Sequence, residues 1–122
     1  MLFLIKKSAI QGKGIFSIKE IKKGNLFYKI PTRDISVHPK RRCAKIGKVW
    51  VNDKQVLNFI NHSCNPNSAI TRKQNGVFIQ SIKLIKKGDE IVVDYSKTEK
   101  GGTKIKCRCK SPNCRGYFLR VE

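Results

Sequence analysis

The chain has 122 residues, of which 39% are hydrophobic, and its 27 lysines and arginines outnumber its 8 acidic residues to give a net charge of +19. A chain of this length forms one domain that buries about two-thirds of the surface exposed when it is unfolded. The ordinary apolar fraction argues against a disordered or fibrous chain. No apolar run has the length of a signal sequence or a membrane span, so we expect an intracellular protein without a membrane partner.

The positive charge has two interpretations. It is spread along the chain and comes mostly from Lys, with its densest clusters at residues 40–42 and 104–110. This distribution favours a solvated basic surface over a dedicated nucleic-acid groove. Contact with nucleic acid or with another acidic partner stays open.

The first residues predict a β-hairpin. Residues 2–6 have the apolar character of a short strand, and Gly12 and Gly14 then form a glycine pair that permits positive φ and close approach of a ligand to the backbone. The pair is not part of a G-x-G-x-x-G fingerprint, and no βαβ pattern surrounds it. The sequence therefore does not predict a Rossmann nucleotide site.

A weak internal repeat follows the hairpin. The sequence SIKEIKKGN at residues 17–25 returns as SIKLIKKGD at residues 81–89, and each copy ends in a Gly turn that leads into another strand, at 26–30 and at 90–93. Two copies do not make a solenoid. We expect two similar β-turn-β layers that pack against one another.

Between the two copies, residues 31–53 form an irregular insert. Short strands are predicted at residues 35–37 and 48–52. Trp50 is expected in the core, and Cys43 has no partner at metal-ligand spacing.

The remaining elements complete a mostly β domain. Residues 55–60 predict a single helical turn, and residues 67–71 and 76–81 predict a hairpin whose turn is Asn75-Gly76. Few helices, many short strands and frequent turn signals are typical of a β fold.

Two segments concentrate the chemistry of the chain. Residues 61–67, NHSCNPN, bring an amide, an imidazole and a thiol together in a turn-forming loop, and residues 88–95, GDEIVVDY, end in a tyrosine. Loops are where binding and catalytic groups concentrate, so a loop this rich in donors and ligands predicts a site.

The cysteines predict a metal. Cys107, Cys109 and Cys114 supply three thiols after a Gly- and Lys-rich spacer at residues 98–106. A structural zinc needs four ligands in a tetrahedron, and Cys64 is the better candidate for the fourth because its loop is polar. Intracellular thiols favour metal over disulfide, with four unligated thiols as the alternative. We therefore predict one structural zinc ion.

Together these motifs resemble one family, the SET-domain protein lysine methyltransferases. Residues 61–67 resemble its central signature, residues 88–95 its second signature, and residues 107–118 its post-SET zinc motif. Three motifs in order and at suitable spacing make the resemblance specific, and it covers essentially the whole chain.

The resemblance implies a fold of small β-sheets in which the C-terminal segment threads beneath a loop. Such a pseudoknot is an exception to the usual unknotted connections. It also implies a SET domain at residues 1–96, with the variable insert at 31–53, and a post-SET zinc-binding tail at residues 97–122.

The resemblance further implies S-adenosylmethionine as the cofactor. Tyr95 would be the catalytic tyrosine, and Tyr28 and Val93 would line the substrate channel. The zinc ligands would be Cys64, Cys107, Cys109 and Cys114. The cofactor contacts would come from Lys13, Gly14, Ile15, Asn61, His62, Tyr95, Tyr117 and Phe118.

Departures from the family pattern bear on the substrate. Val93 stands where the family often has an aromatic residue, which favours a roomier channel and leaves mono-, di- or trimethylation open. The insert is short and no pre-SET cysteine cluster precedes the domain. Substrate contacts would therefore come from few residues, in a monomer or a weak homodimer.

The hypothesis is a lysine methyltransferase for a protein substrate, such as a histone or another basic DNA-associated protein. It would act at chromatin in a eukaryotic cell or in the cytoplasm of a prokaryotic one, and its basic surface could dock on nucleic acid beside the target lysine. The alternative is a non-catalytic, zinc-stapled module of the same scaffold that binds nucleic acid or peptide.

Overall fold

The computed structural model describes residues 3–38, 43–95 and 103–120. These residues form small β-sheets and one 3₁₀ turn at Leu57–Phe59, so the mostly β fold is confirmed. None of their helices is long and apolar enough to cross a membrane. The strands are β1 Phe3–Lys7, β2 Lys13–Ser17, β3 Leu26–Lys29, β4 Ile35–Ser36, β5 Ala44–Ile46, β6 Val49–Val51, β7 Asn61–His62, β8 Ser68–Lys73, β9 Gly76–Ser81, β10 Val92–Val93, β11 Thr103–Lys106 and β12 Tyr117–Arg120.

The strands combine into five sheets. Three have two strands each, β1-β2, β10-β7 and β11-β12, and two have three strands, in the orders β3-β9-β8 and β4-β6-β5. The β7–β10 pair is parallel, whereas the others are antiparallel. This parallel pair joins the two signature segments.

The two copies of the repeat pack against one another as predicted. Ile21 and Ile85 exchange both backbone hydrogen bonds, at 2.8 and 2.9 Å, and form an isolated antiparallel bridge. The amide of Gly88 donates to the carbonyl of Ser17, and the amide of Gly24 donates to the carbonyl of Ser81, each at 2.8 Å. Residues 17–25 and 81–89 are therefore related by a local pseudo-twofold symmetry, and we call them the repeat pair.

The core of the domain is built largely of isoleucine. Its fully buried members include Ile15, Ile79 and Ile91, which come from different sheets and from the segment after the second repeat copy. β-Branched side chains pack well on pleated strands, which is why an Ile-rich sequence of this kind forms strands and not helices.

The 3₁₀ turn is shorter than the helical turn predicted at residues 55–60. The carboxylate of Asp53 accepts the amides of Gln55 and Leu57, both at 3.1 Å, and so holds the backbone that leads into the turn. The hydroxyl of Tyr28 donates to the same carboxylate at 2.7 Å. Asp53 thereby ties this turn to β3.

Several local predictions were wrong in detail. Lys73 pairs with Gly76, so the hairpin turn is Gln74-Asn75 and not Asn75-Gly76. Strand β5 was not predicted. Residues 103–106 were read as part of a spacer, yet they form β11 and pair with β12. Trp50 is only half-buried, although its Nε1 is buried and has no hydrogen-bond partner among the described residues.

Some predictions fall outside the described residues. These are the basic turn at 40–42, the first residue of the strand predicted at 2–6, and the part of the spacer at 98–102.

Candidate functional site

The two signature segments are joined through backbone and side chain. In the parallel pair, Asn61 lies beside Val92 and His62 beside Val93. Asn67 extends the junction, because its amide nitrogen donates to the carbonyl of Glu90 at 2.8 Å and its amide oxygen accepts the amide of Val92 at 3.1 Å. An asparagine can serve both strands in this way because it is both donor and acceptor.

Asn61 joins this junction to the first hairpin. Its amide nitrogen donates to the carbonyls of Gln11 and Lys13, at 3.0 and 3.1 Å, and to the carboxylate of Glu90 at 2.9 Å. The other carboxylate oxygen of Glu90 accepts the hydroxyl of Ser8 at 2.8 Å. The loop between β1 and β2 is thus held against the second signature segment.

Gly14 is required by this close approach. A Cβ at residue 14 would overlap the carboxylate of Glu90 and lie 3.2 Å from the amide nitrogen of Asn61. The positive φ expected of the glycine pair occurs at Gly12, at 47°, and not at Gly14. Gly14 therefore provides space, whereas Gly12 provides the turn.

The other cofactor residues predicted in β2 have different surroundings. Lys13 is exposed, and its carbonyl accepts the bond from Asn61. Ile15 is fully buried, and its carbonyl accepts the amide of Ile91 at 2.8 Å.

His62 is buried and connects three parts of the site. Its Nδ1 accepts the amide of Tyr95 at 2.9 Å, so the proton of the neutral ring lies on Nε2, which is 3.3 Å from the Sγ of Cys64. Burial lowers the pKa of His62 to about 4, and the nearby carboxylate of Asp94 opposes that shift. The ring is therefore neutral at physiological pH.

Tyr95 belongs to an aromatic cluster with His62 and Phe118. The Phe118 ring stacks on His62 at 4.9 Å and meets the Tyr95 ring edge-on at 5.3 Å, and the Tyr95 hydroxyl donates to the carbonyl of Ile60. Tyr95 packs against both the isoleucine core and the cysteine cluster. It is fixed at the junction of body and tail.

Tyr117 and Phe118 were predicted together over the cofactor's adenine, and they lie on opposite faces of β12. Phe118 is 4% exposed, whereas Tyr117 is 40% exposed and carries the ammonium group of Lys104 over its ring at 4.6 Å. Adjacent residues of a strand point to opposite sides, so the two rings face opposite sides of β12. Their adenine contact stays a prediction.

Four thiols come together as the cysteine pattern predicted. The Sγ atoms of the cluster all lie within 4.8 Å of one another, and those of Cys64 and Cys107 are 3.9 Å apart. Sulfur atoms bound tetrahedrally to one zinc ion are separated by about 3.8 Å. The donor set and its spacing therefore fit zinc, with Cys64, Cys107, Cys109 and Cys114 as the ligands.

The surroundings of the four thiols shift their pKa values in different directions. Burial raises the pKa of Cys64 and of Cys107. Burial raises the pKa of Cys109, but hydrogen bonds, first among them one with the Ser111 hydroxyl, outweigh it and lower the value to about 5. Backbone amides of Arg115 and Gly116 donate to Cys64 and Cys114, at 3.3 and 3.4 Å. Amides directed at sulfur stabilise negative charge on it.

The two predicted channel residues occupy different positions. Val93 is buried and lines a cleft of about 320 Å³ together with Pro66, Ser68, Ala69, Ile70, Ile82 and Asp94. Tyr28 does not line this cleft. Burial, followed by its hydrogen bond to Asp53, raises the pKa of Tyr28, so its hydroxyl stays protonated.

Sequence reasoning missed several residues that hold the site. Arg115 forms a bidentate ion pair with Asp94 at 2.7 and 3.2 Å, and Asn113 donates to the carbonyl of Cys64 at 3.0 Å. Glu90 covers Gly14. The carboxylates of the second signature segment are a signal for such partners, but only the folded chain shows which groups they meet.

A family model confirms what the geometry indicates. The model named "SET domain" matches residues 12–96, a span that contains both signature segments and most of the described sheets. The chain belongs to the SET domain family.

This SET domain has curated relatives, one of which is named for a histone substrate. It is 38% identical over 66 residues to "Histone-lysine N-methyltransferase, H3 lysine-36 specific" of Saccharomyces cerevisiae, a match that covers 49% of the chain and 9% of that protein. It is 28% identical over 144 residues to "Variant-silencing SET domain-containing protein" of Plasmodium falciparum, covering 94% of the chain and 6% of that protein. The chain thus spans less than a tenth of these relatives.

The fold of this SET domain also resembles that of a solved structure. KRYPTONITE in complex with mCHH DNA, H3(1-15) peptide and SAH superposes with a TM-score of 0.73 at 19% identity, over 94% of the chain and 29% of KRYPTONITE. At this identity the likeness establishes the fold.

Proposed function

We propose that this SET domain is a protein lysine N-methyltransferase that uses S-adenosylmethionine. The observation that carries the proposal is the convergence at β7, where Asn61 bonds to the Gly14 loop and its neighbour His62 bonds to Tyr95. Residues far apart in sequence are thereby gathered at one junction. The name of the relative from Saccharomyces cerevisiae supports the same activity.

The surroundings of Gly14 fit a cofactor that approaches the backbone. A Cβ at position 14 would overlap the Glu90 carboxylate, and the Asn61 amide converges on the same place. Lys13, Gly14, Ile15, Asn61 and His62 would hold the methionyl part, and Tyr117 and Phe118 the adenine. The sulfonium of the bound cofactor supplies an activated methyl group.

The residues of the chain would prepare the lysine. Its amine must be neutral to accept a methyl group, and an apolar channel disfavours the charged form and lowers the pKa of lysine. Val93 would line that channel, and the Tyr95 hydroxyl beside the Ile60 carbonyl would orient the amine. Tyr28 would also line the channel if the channel extends beyond the cleft that Val93 lines.

Zinc would make the tail part of the site. A metal bound to the four thiols fixes Phe118 against His62 and Tyr95, so its loss would disturb the aromatic cluster as well as the tail. The division into a SET domain at residues 1–96 and a tail at residues 97–122 follows from this proposal.

The substrate we propose is the tail of a histone or of another basic DNA-associated protein. Relatives named for histone H3 favour it, and KRYPTONITE holds an H3 peptide. The protein would work as a monomer or a weak homodimer, inside the cell and at chromatin in a eukaryote.

The test incubates the protein with methyl-labelled S-adenosylmethionine and an extract of basic proteins, alongside Tyr95→Phe. We expect labelled lysine in the product of the unchanged protein. The variant should transfer the label at a rate lower by about 100-fold or more, because it lacks only the hydroxyl that would orient the amine. Equal labelling by both proteins would contradict the role of Tyr95.

A non-catalytic module of the same scaffold is the second candidate, favoured by the net charge of +19. It predicts no label transfer by either protein, together with binding of nucleic acid or peptide. The labelling experiment separates the two candidates.

A further inference from the structure

The repeat pair presents a concentrated positive surface that the methyl-transfer site does not use. Six exposed lysines lie on its two segments, Lys19, Lys22, Lys23, Lys83, Lys86 and Lys87. We propose that the repeat pair is a docking surface for the phosphate backbone of duplex nucleic acid. This inference concerns a binding surface and does not depend on the proposed methyltransferase activity.

The pseudo-twofold symmetry places the lysines in two matching groups. The Ile21–Ile85 bridge is antiparallel, so each end of the repeat pair combines a Lys-Lys dipeptide of one segment with a single lysine of the other. Each end therefore presents three exposed lysines, drawn from both segments.

The backbone beneath the lysines is held together by hydrogen bonds between the two segments. Ile21 and Ile85, at the centre, are 2% and 0% exposed, and their reciprocal hydrogen bonds hold the segments together. Gly24 and Gly88 turn the chain at equivalent points with φ of 88° and 89°. A fixed array of charges loses little conformational entropy in its backbone when it binds a polyanion.

The charges of the repeat pair are available to a partner. Its acids are Glu20 and Asp89, and the Asp89 carboxylate already accepts the amide of Lys86 at 2.9 Å. None of the six lysines forms an ion pair with a residue in the described ranges. Their mutual repulsion is relieved when a polyanion binds and releases its counterions.

The composition of the repeat pair favours phosphate over a protein partner. Protein interfaces are enriched in Arg and aromatic residues and depleted in Lys, whereas residues 17–25 and 81–89 contain no Arg and no aromatic residue. Lys acts as a flexible point charge that contacts phosphate without reading bases. The expected binding is therefore independent of sequence.

The surface adjoins the candidate site at both ends. The Lys83 ammonium group donates to the side chain of Asn65, in the first signature segment. At the other end, Asp89 precedes Glu90, whose carboxylate covers Gly14. Nucleic acid docked on the repeat pair would lie beside the two signature segments.

The test compares two variants with the same loss of charge. The first carries Lys22→Gln, Lys23→Gln, Lys86→Gln and Lys87→Gln. The control carries Lys7→Gln, Lys48→Gln, Lys54→Gln and Lys73→Gln, which replace four exposed lysines elsewhere. Binding to a 20-base-pair duplex is measured by fluorescence anisotropy over a range of KCl concentrations. Thermal unfolding checks that each variant is folded.

We expect the first variant to lower the slope of log K against log[KCl] by about 3 to 4, because each phosphate contact contributes about 0.9. The control should lower it by less than about 1. Because the two ends are equivalent, the half-variants Lys22→Gln/Lys23→Gln and Lys86→Gln/Lys87→Gln should each give about half of the full effect. These half-variants also provide the test if the fourfold variant does not fold.

Two results would overturn the proposal. Equal slopes for the repeat-pair variant and the control would show that binding uses the whole basic surface. The second result is an affinity for polyglutamate of matched charge that equals the affinity for the duplex. It would show that the repeat pair is a surface for an acidic protein.

Discussion

The body of the domain and its C-terminal tail are stabilised by different interactions. The core of the body contains twelve buried hydrophobic residues, whereas the cluster that joins the tail to it contains three, Cys64, Cys107 and Phe118. Each large apolar side chain that is fully buried contributes about 1.5–3 kcal/mol, so the body can fold on its own burial. The tail has too small a core to do so.

The difference teaches that the site depends on both regions. Tyr95 packs against the isoleucine core and against the cysteine cluster, so its position is determined where they meet. Substitutions in the body should lower the free energy of unfolding. Substitutions or metal loss in the tail should first disturb the position of Tyr95 and its neighbours in the site.

Metal removal should have the largest effect. A chelator strong enough to take zinc from the four thiols should abolish amide protection in β11 and β12 while β8 and β9 stay protected, because structural zinc contributes on the order of 10 kcal/mol. Hydrogen exchange followed by mass spectrometry measures both regions.

The fifth cysteine, Cys43, provides a matched control for the metal. Cys43 lies outside the cluster, so Cys43→Ala should still bind one zinc per chain, whereas Cys114→Ser should not. Loss of protection in β8 and β9 at the same chelator concentration would show that the body also depends on the metal.

The second largest effect is expected from a cavity in the core of the body. Ile85→Ala should lower the free energy of unfolding by about 2–5 kcal/mol, because it leaves a cavity at a fully buried position. The neighbouring Leu84→Ala, at a position 48% exposed, should change it by no more than about 0.5 kcal/mol. Urea unfolding measures the free energy of unfolding of both variants. Similar losses for the two would contradict the burial of Ile85 and the exposure of Leu84.

Gly14→Ala should have an intermediate effect and act on the site. The new Cβ displaces the Glu90 carboxylate, so we expect a loss of about 1–3 kcal/mol in stability and about tenfold weaker binding of S-adenosylmethionine in calorimetry. The double variant Gly14→Ala/Glu90→Ala should recover part of the stability, because the overlap is removed. If the stability losses of Gly14→Ala and Glu90→Ala simply add in the double variant, the close approach of Glu90 to Gly14 would be contradicted.

The smallest effect is expected at the ion pair between tail and body. Arg115 is 41% exposed at its side chain, so Arg115→Gln should lower stability by about 1 kcal/mol or less, although the pair with Asp94 is bidentate. The difference in free energy of unfolding between the variant and the unchanged protein should become smaller in 1 M NaCl, where exposed charges are screened. A cost above about 2 kcal/mol would show that this pair anchors the tail.

Much of the fold follows from local patterns. The glycine turns and β-branched runs predicted most strands, and the repeat predicted that Ile21 and Ile85 lie in layers that pack together. Strand β11 was missed because its lysines and preceding glycines resemble a spacer. It is a strand because β12 offers it a partner, which is a tertiary effect.

The hairpin turn illustrates how register overrides local propensity. Asn-Gly is a favoured two-residue turn, yet Lys73 pairs with Gly76 and places the turn one residue earlier. A shift of one residue would move every side chain of β8 to the opposite face, so the buried side chains of the sheet decide the register.

The sequence by itself determined which chemical groups this protein offers: three thiols at metal-ligand spacing with a fourth in the first signature segment, the second signature segment, and the repeat with its lysines. The tertiary structure alone decided what those groups meet. Glu90 lies against Gly14 and Ser8, and Tyr95 against Phe118, because chain closure joins residues distant in sequence. Ligand type and spacing are properties of short segments, whereas hydrogen-bond and ring partners depend on the packing of the whole domain.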